Sequence, residues 1–190
     1  MFARNHIASA TGIGLFVVVV FSMLGGTSVE SIPSDTSLEH ASSTLPSRLI
    51  IPKIGVDAAV EYVGLTPSGA MGTPKGPAEV AWFNQGPRPG EIGSAVITGH
   101  FGWKDNIPAV FDEIHTLRTG DTLYVEDGKG TVITFVVREI RTYDEKADAS
   151  DVFGSSDGKA HLNLITCEGV WDAVSKNYSK RLVIFTDQET

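Results

Sequence analysis

Beyond residue 45 the chain is written in short apolar runs, several alternating with polar positions, and none has sustained helical periodicity. Arg48-Leu49-Ile50-Ile51-Pro52-Lys53-Ile54 reads as a first strand, with Pro52 marking a sheet edge. Ala58 to Val63 reads as a second, Glu79 to Phe83 as a short third, and Ser94 to Gly99 as a buried strand ending at His100. Thr122 to Glu126 and Val132 to Arg141 form a hairpin through Asp127-Gly128-Lys129-Gly130. His161 to Cys167 and Lys180 to Thr186 complete the set. Between them, Pro67 to Pro77 carries Gly69, Gly72 and Gly76 and is a loop. Gln85 to Gly93 is turn-rich, Ile107 to Leu117 is expected to hold a short helix, and Tyr143 to Lys159 is a polar loop. About eight short strands with little helix predict an all-β fold, a closed or nearly closed β-barrel.

The N-terminus follows a different rule. Ile7 to Leu24 is 18 residues without a charge, reaching roughly 27 Å as a helix, close to the thickness of a bilayer's hydrocarbon. Arg4 precedes it and Glu30 and Asp35 follow, which predicts a cytoplasmic N-terminus and an exported C-terminal part. Residues 1–26 therefore read as a membrane anchor. A cleaved signal segment is the alternative, since Gly25-Gly26-Thr27-Ser28 is small enough to cut. Residues 27–47, with seven serines and three threonines and no lysine or arginine, form a flexible tether. The folded domain is expected over 48–190, enough chain for one core.

Composition narrows the function. A net charge of −8 disfavours nucleic acid, whose phosphates call for a basic surface. A single cysteine, Cys167, rules out an intrachain disulfide framework, and one cysteine among scattered histidines lacks the spacing of a zinc site. Asp144, Glu145, Asp148 and Asp151 do not have EF-hand spacing and read as a solvated loop. No cofactor or metal is expected.

Cys167 ends an alternating strand, His100 ends another after Thr98-Gly99, and Arg181 opens the last, 14 residues beyond the cysteine. A thiolate that attacks, an imidazole that moves protons and a guanidinium that holds negative charge are the parts of acyl transfer. Each residue also has a plainer reading. Cys167 can be an inert core thiol, His100 a turn residue satisfied by backbone, and Arg181 a surface residue paired with Glu168 or Asp187. His161 lies six residues before Cys167, roughly 20 Å along a strand, too far for proton transfer. Thr166, beside the thiol, can contact a bound peptide, and Trp103 and Trp171 can form apolar walls or fill the core.

Taken together, Thr98-Gly99-His100, Leu164-Ile165-Thr166-Cys167 and Arg181 resemble the sortase family, the cysteine transpeptidases of the bacterial surface. The resemblance spans most of Arg48 to Thr186, including Ile51-Pro52-Lys53-Ile54 and Gly120-Asp121, and is most like class F or a relative of classes D and E. It implies an eight-stranded sortase barrel with one or two short helices behind an N-terminal transmembrane helix. The catalytic set is then His100, Cys167 and Arg181, with substrate contacts at Thr98, Thr166 and Trp171. The implied reaction cuts a Leu-Pro-x-Thr-Gly-like motif after threonine through a thioester and transfers the protein to an envelope amine. Partners are motif-bearing surface proteins and that amine acceptor, at a single-pass membrane location with the catalytic domain outside. The chain has no Asp-Pro pair, unlike the lid of pilin-polymerising members.

Two other cysteine enzymes fit less well. An L,D-transpeptidase carries Ser-His-Gly-Cys with an arginine two residues later, and a papain-like peptidase places cysteine before histidine; neither holds here. The remaining alternative is a non-catalytic anchored β-barrel that binds a partner and keeps a buried thiol.

Overall fold

The computed structural model describes residues 44–174 and 177–190. The expected anchor, and most of the tether, lie outside the described residues. Among those that are described, no helix is long and apolar enough to cross a membrane.

Eight strands close into one barrel: β1 (Pro46–Ile51), β2 (Val56–Val63), β3 (Val80–Phe83), β4 (Gly93–Gly99), β5 (Thr122–Asp127), β6 (Val132–Asp144), β7 (Ala160–Asp172) and β8 (Asn177–Gln188). Around the barrel the order is β1-β2-β3-β4-β7-β8-β6-β5. Six of the neighbouring pairs are antiparallel; β2 with β3 and β4 with β7 are parallel. The parallel pair β4–β7 matters most, because it lays the strand ending at His100 alongside the strand carrying Cys167.

Side chains alternate across each strand, so β7 serves two cores. Leu162 and Leu164 point into the barrel with Ile97, Leu182 and Ile184. Ile165 packs on the outer face, in a second cluster with Val96, Tyr143, Val152, Val183 and Phe185. That outer cluster is roofed by a single helical turn, α1 (Ser150–Phe153), in the β6–β7 connection. The connection was expected to be a polar loop. It instead continues β6 to Asp144 and buries Val152 fully, because an apolar pair, Val152-Phe153, sits within its polar sequence.

Two further expectations change. Pro52 marks no edge: β1 stops at Ile51, is paired on both sides, and Pro52 opens a 3₁₀ turn where its missing N–H costs nothing. The helix expected over Ile107 to Leu117 is only a 3₁₀ turn, Ile114–Thr116. The fully buried residues there, Phe111, Ile114 and Leu117, recur every third position. Ile114 N–H donates to Phe111 and Leu117 N–H to Ile114, i to i+3, which stacks the three over the barrel interior as an apolar plug.

Candidate active site

A cleft of about 520 Å³ opens on the outer face of β4, β7 and β8. Its floor is a row across the sheet. Cys167 on β7 stands directly opposite Arg181 on β8, and Arg181 opposite Tyr143 on β6. Thr98 is in register with Ile165, so two residues further His100 arrives level with Cys167. Directly opposed side chains on neighbouring strands start about 5 Å apart at Cβ. His100, Cys167, Arg181 and Tyr143 all line the cleft. One wall is Ala70–Thr73 of the β2–β3 loop and the other runs from Tyr143 to Phe153. The lining is mostly apolar above this charged floor, with Met71, Val152, Phe153, Ile165 and Val183 supplying side chains.

Cys167 is a half-buried free thiol. Burial pushes its pKa up, and the Arg181 charge opposes this to a smaller extent. The resting sulfur is therefore protonated at neutral pH and must lose a proton to become a nucleophile.

Gly99 precedes His100 because nothing larger fits. A Cβ there would lie 2.5 Å from the Phe111 ring, against the apolar plug. His100 follows, half-buried, with Nε2 2.8 Å from the Pro74 carbonyl oxygen. A carbonyl only accepts, so Nε2 carries a proton and Nδ1 is the nitrogen left to exchange one. The Trp103 ring packs edge-on at 4.6 Å. Asp112 then secures the loop after His100, accepting from the N–H groups of Gly102 at 2.6 Å and Ala109 at 2.9 Å.

Arg181 is held by its own strand entry. Nη1 donates to the carbonyls of Tyr178 (2.9 Å) and Lys180 (2.8 Å), and Nη2 to Asn177 Oδ1 (2.6 Å). Asn177 in turn donates to Glu145 at 2.6 Å. The acids considered as plain partners for Arg181 are engaged elsewhere. Glu168 accepts from Thr142, and Asp187 pairs with Arg138 and His161.

Thr98 and Thr166 line the cleft but their hydroxyls are spent on the scaffold. Thr98 Oγ1 donates to the Ile165 carbonyl at 3.1 Å and Thr166 Oγ1 to the Gly99 carbonyl at 2.9 Å, two ties between β4 and β7. Trp171, expected at the substrate, is not among the residues lining the cleft. It is half exposed and packs edge-on against Tyr178 at 5.1 Å, while loop residues make the apolar walls instead. The acids of the β6–β7 connection are engaged by protein groups: Asp151 by Arg141 and Tyr143, Asp148 by the Ser150 N–H, and Glu145 by Asn177. Among the described residues no cluster of histidine, cysteine and acidic side chains has the arrangement of a metal site.

Four contributors had no sequence signal. Pro74 acts through a backbone carbonyl, Asn177 and Glu145 act through Arg181, and Tyr143 joins the row only through strand order.

A family model described as the Sortase domain matches residues 49–189, and the chain belongs to the sortase family, whose members are cysteine transpeptidases. Solved structures agree at the level of fold. Sortase C-1 from Actinomyces oris is 23% identical with a TM-score of 0.56, over 75% of this chain and 73% of that one. A lid mutant of sortase A from Corynebacterium diphtheriae is 19% identical with a TM-score of 0.59, over 80% and 74%. A sortase D5 transpeptidase from Clostridium perfringens is 19% identical with a TM-score of 0.57, over 78% and 80%. No curated protein matches the chain by sequence.

Proposed function

We propose that this chain is a membrane-anchored sortase that cleaves a Leu-Pro-x-Thr-Gly-like motif after threonine and joins the acyl fragment to an envelope amine. The observation that carries the proposal is the row that brings His100, Cys167 and Arg181 to one cleft floor. His100 takes the Cys167 proton through Nδ1 while Pro74 holds Nε2. The thiolate attacks the threonine carbonyl carbon, a C–S bond forms, and the pair of electrons moves to oxygen. Arg181 stabilises that oxyanion. The imidazolium then protonates the glycine nitrogen, the C–N bond breaks, and a thioester remains on Cys167. An incoming amine adds to the thioester, its proton passes to His100, and the C–S bond breaks to return the thiolate. The imidazolium reprotonates the sulfur.

The apolar walls from Ala70–Thr73 and Tyr143–Phe153 suit the leucine and proline of such a motif. Residues 1–26 serve as the anchor and 27–47 as the tether, which place the domain outside the membrane where its substrates wait. Class F, or a relative of D and E, is the subclass assigned. Thr98 and Thr166 contribute by tying the histidine strand to the cysteine strand.

The test is incubation of the full chain in mild detergent with Leu-Pro-x-Thr-Gly and Leu-Ala-x-Thr-Gly peptides and a primary amine, read by mass spectrometry beside Cys167→Ala. Cleavage after threonine, an amine-linked product and their loss in the variant are expected. No turnover and no thioester mass on Cys167, in a protein whose thiol still alkylates, overturns the proposal in favour of a binding module.

A further inference from the structure

The outward residues of β7 run His161, Asn163, Ile165, Cys167. The last is the nucleophile of the proposed reaction, and the others hold one wall of its cleft. Asn163 donates to the Val152 carbonyl at 2.6 Å, and Ile165 packs against the cluster containing Val152. His161 is 4% exposed and sits between two carboxylates. Its Nδ1 is 2.8 Å from Asp187 Oδ1, and its Nε2 is 3.0 Å from each oxygen of Asp157. Asp157 belongs to the same connection as Val152 and Phe153, four residues beyond Phe153. That connection is thus fastened at two points on β7, Asn163 near its middle and His161 near its end.

A neutral imidazole has one N–H and one lone pair, and a carboxylate only accepts. Both aspartates are satisfied together only by the imidazolium. We propose that His161 is a positioning residue: protonated, it bridges Asp187 and Asp157 and holds the Val152–Phe153 wall against the cleft, and loss of its proton to solvent releases that wall.

The surroundings decide which contact breaks. Asp187, on β8, is also paired with Arg138 of β6 at 3.0 Å, so it is fixed by the sheet on both sides. Ser94, opposite on β4, is buried and carries no charge. Asp157 is half exposed, on a loop, and accepts from the Lys159 N–H at 3.0 Å. Glu139, Arg141 and Asp151 lie further round the same depression, where Arg141 pairs with the two acids. The proton that remains therefore stays on Nδ1 toward Asp187, and the bare Nε2 lone pair repels Asp157 into water. The Asp157 carboxyl is held at about 2, first by its hydrogen bond to His161 and then by the Lys159 N–H. A depressed carboxyl pKa keeps Asp157 ionised down to near the depressed value, so protonation of the carboxylate does not open the clamp above that pH.

The experiment reads amide hydrogen exchange of the full chain in detergent between about pH 5.5 and about pH 8.5, corrected for intrinsic exchange. The reporter is Val152, whose N–H donates to the Ala149 carbonyl within the wall. Its protection is expected to fall at least about tenfold across that range in the wild type. Asp157→Asn removes the pH dependence. A neutral ring donates Nδ1–H to Asp187 and accepts the new amide N–H on Nε2, so protection stays high throughout. Flat protection in the wild type, or an Asp157→Asn profile that follows it, overturns the proposal. The effect on catalysis rests on the cleft being the sorting-peptide site. There, the wild-type KM rises with pH and the Asp157→Asn KM does not, while kcat follows the same profile in both. A chain that cleaves no sorting peptide refutes the proposed function, and the exchange profiles still decide the clamp.

Discussion

Gly99→Ala puts the packing argument to a direct test. The added Cβ would meet Phe111 Cδ2 at 2.5 Å, and Phe111 Cε2 and Val110 Cγ1 at 2.7 Å. Carbon contacts are comfortable at about 3.5–4.0 Å, so something must move by about 1 Å. β4 cannot retreat, since Gly99 is in register with Val80 on β3 and Thr98 with Ile165 on β7. Phe111 is fully buried and must shift instead, and its N–H is bonded to the His100 carbonyl at 3.0 Å. Overpacking of this kind costs about 1–3 kcal/mol. At about 2–4 °C per kcal/mol for a domain of this size, melting should fall by about 2–12 °C. Because the displaced loop carries His100 with it, kcat/KM for peptide cleavage should fall by about 10²-fold. Thermal unfolding by circular dichroism and the cleavage assay read the two effects. Phe111→Leu opens space beside residue 99, so the double variant should be less destabilised than the sum of the single ones by about 1 kcal/mol. Unchanged melting with undiminished turnover in Gly99→Ala, or strict additivity with Phe111→Leu, would mean that Phe111 does not pack against residue 99 as described.

Arg181→Ala removes the charge that opposes burial at Cys167, so the thiol pKa rises further and alkylation by iodoacetamide at neutral pH slows. The two proteins should converge once the pH exceeds both thiol titrations, and in the proposed reaction, where Arg181 stabilises the oxyanion, kcat should fall by about 10²-fold or more. Asn177→Ala should move both readouts the same way by a smaller step, since Arg181 keeps its backbone partners Tyr178 and Lys180. Thr166→Val keeps the volume but strips the Gly99 carbonyl of its buried hydroxyl partner, costing about 1–3 kcal/mol in denaturant unfolding.

Much of the barrel was legible because strand alternation is a local property. Runs such as Ser94 to Gly99 and His161 to Cys167 bury apolar side chains whatever their neighbours are, and the hairpin at Asp127-Gly128-Lys129-Gly130 needs only its own turn residues. The misreadings arose where local signals compete. Pro52 means an edge or a strand end, and only the pairing of β1 on both sides chooses. Phe111, Ile114 and Leu117 fit a helix loosely, and the barrel mouth they plug selects the tighter 3₁₀ spacing. Trp171, close to Cys167 in sequence, lies outside the cleft lining because β7 runs on to Asp172.

Residue type and local pattern are enough to set which chemistry is on offer. A lone cysteine, a histidine and an arginine at strand ends, in that family's chain order, are a matter of residue type and local pattern. Their meeting depends on long-range strand pairing. His100 and Cys167 are 67 residues apart and share a row because β4 and β7 pair in parallel, a choice set by long-range closure of the barrel. The same closure assigned the supporting parts: the Pro74 carbonyl behind His100, Asn177 and Glu145 behind Arg181, and His161 at the foot of the cysteine strand. Backbone carbonyls and ordinary polar side chains carry no mark in a sequence, and they acquire a role only when folding brings a partner within hydrogen-bond distance.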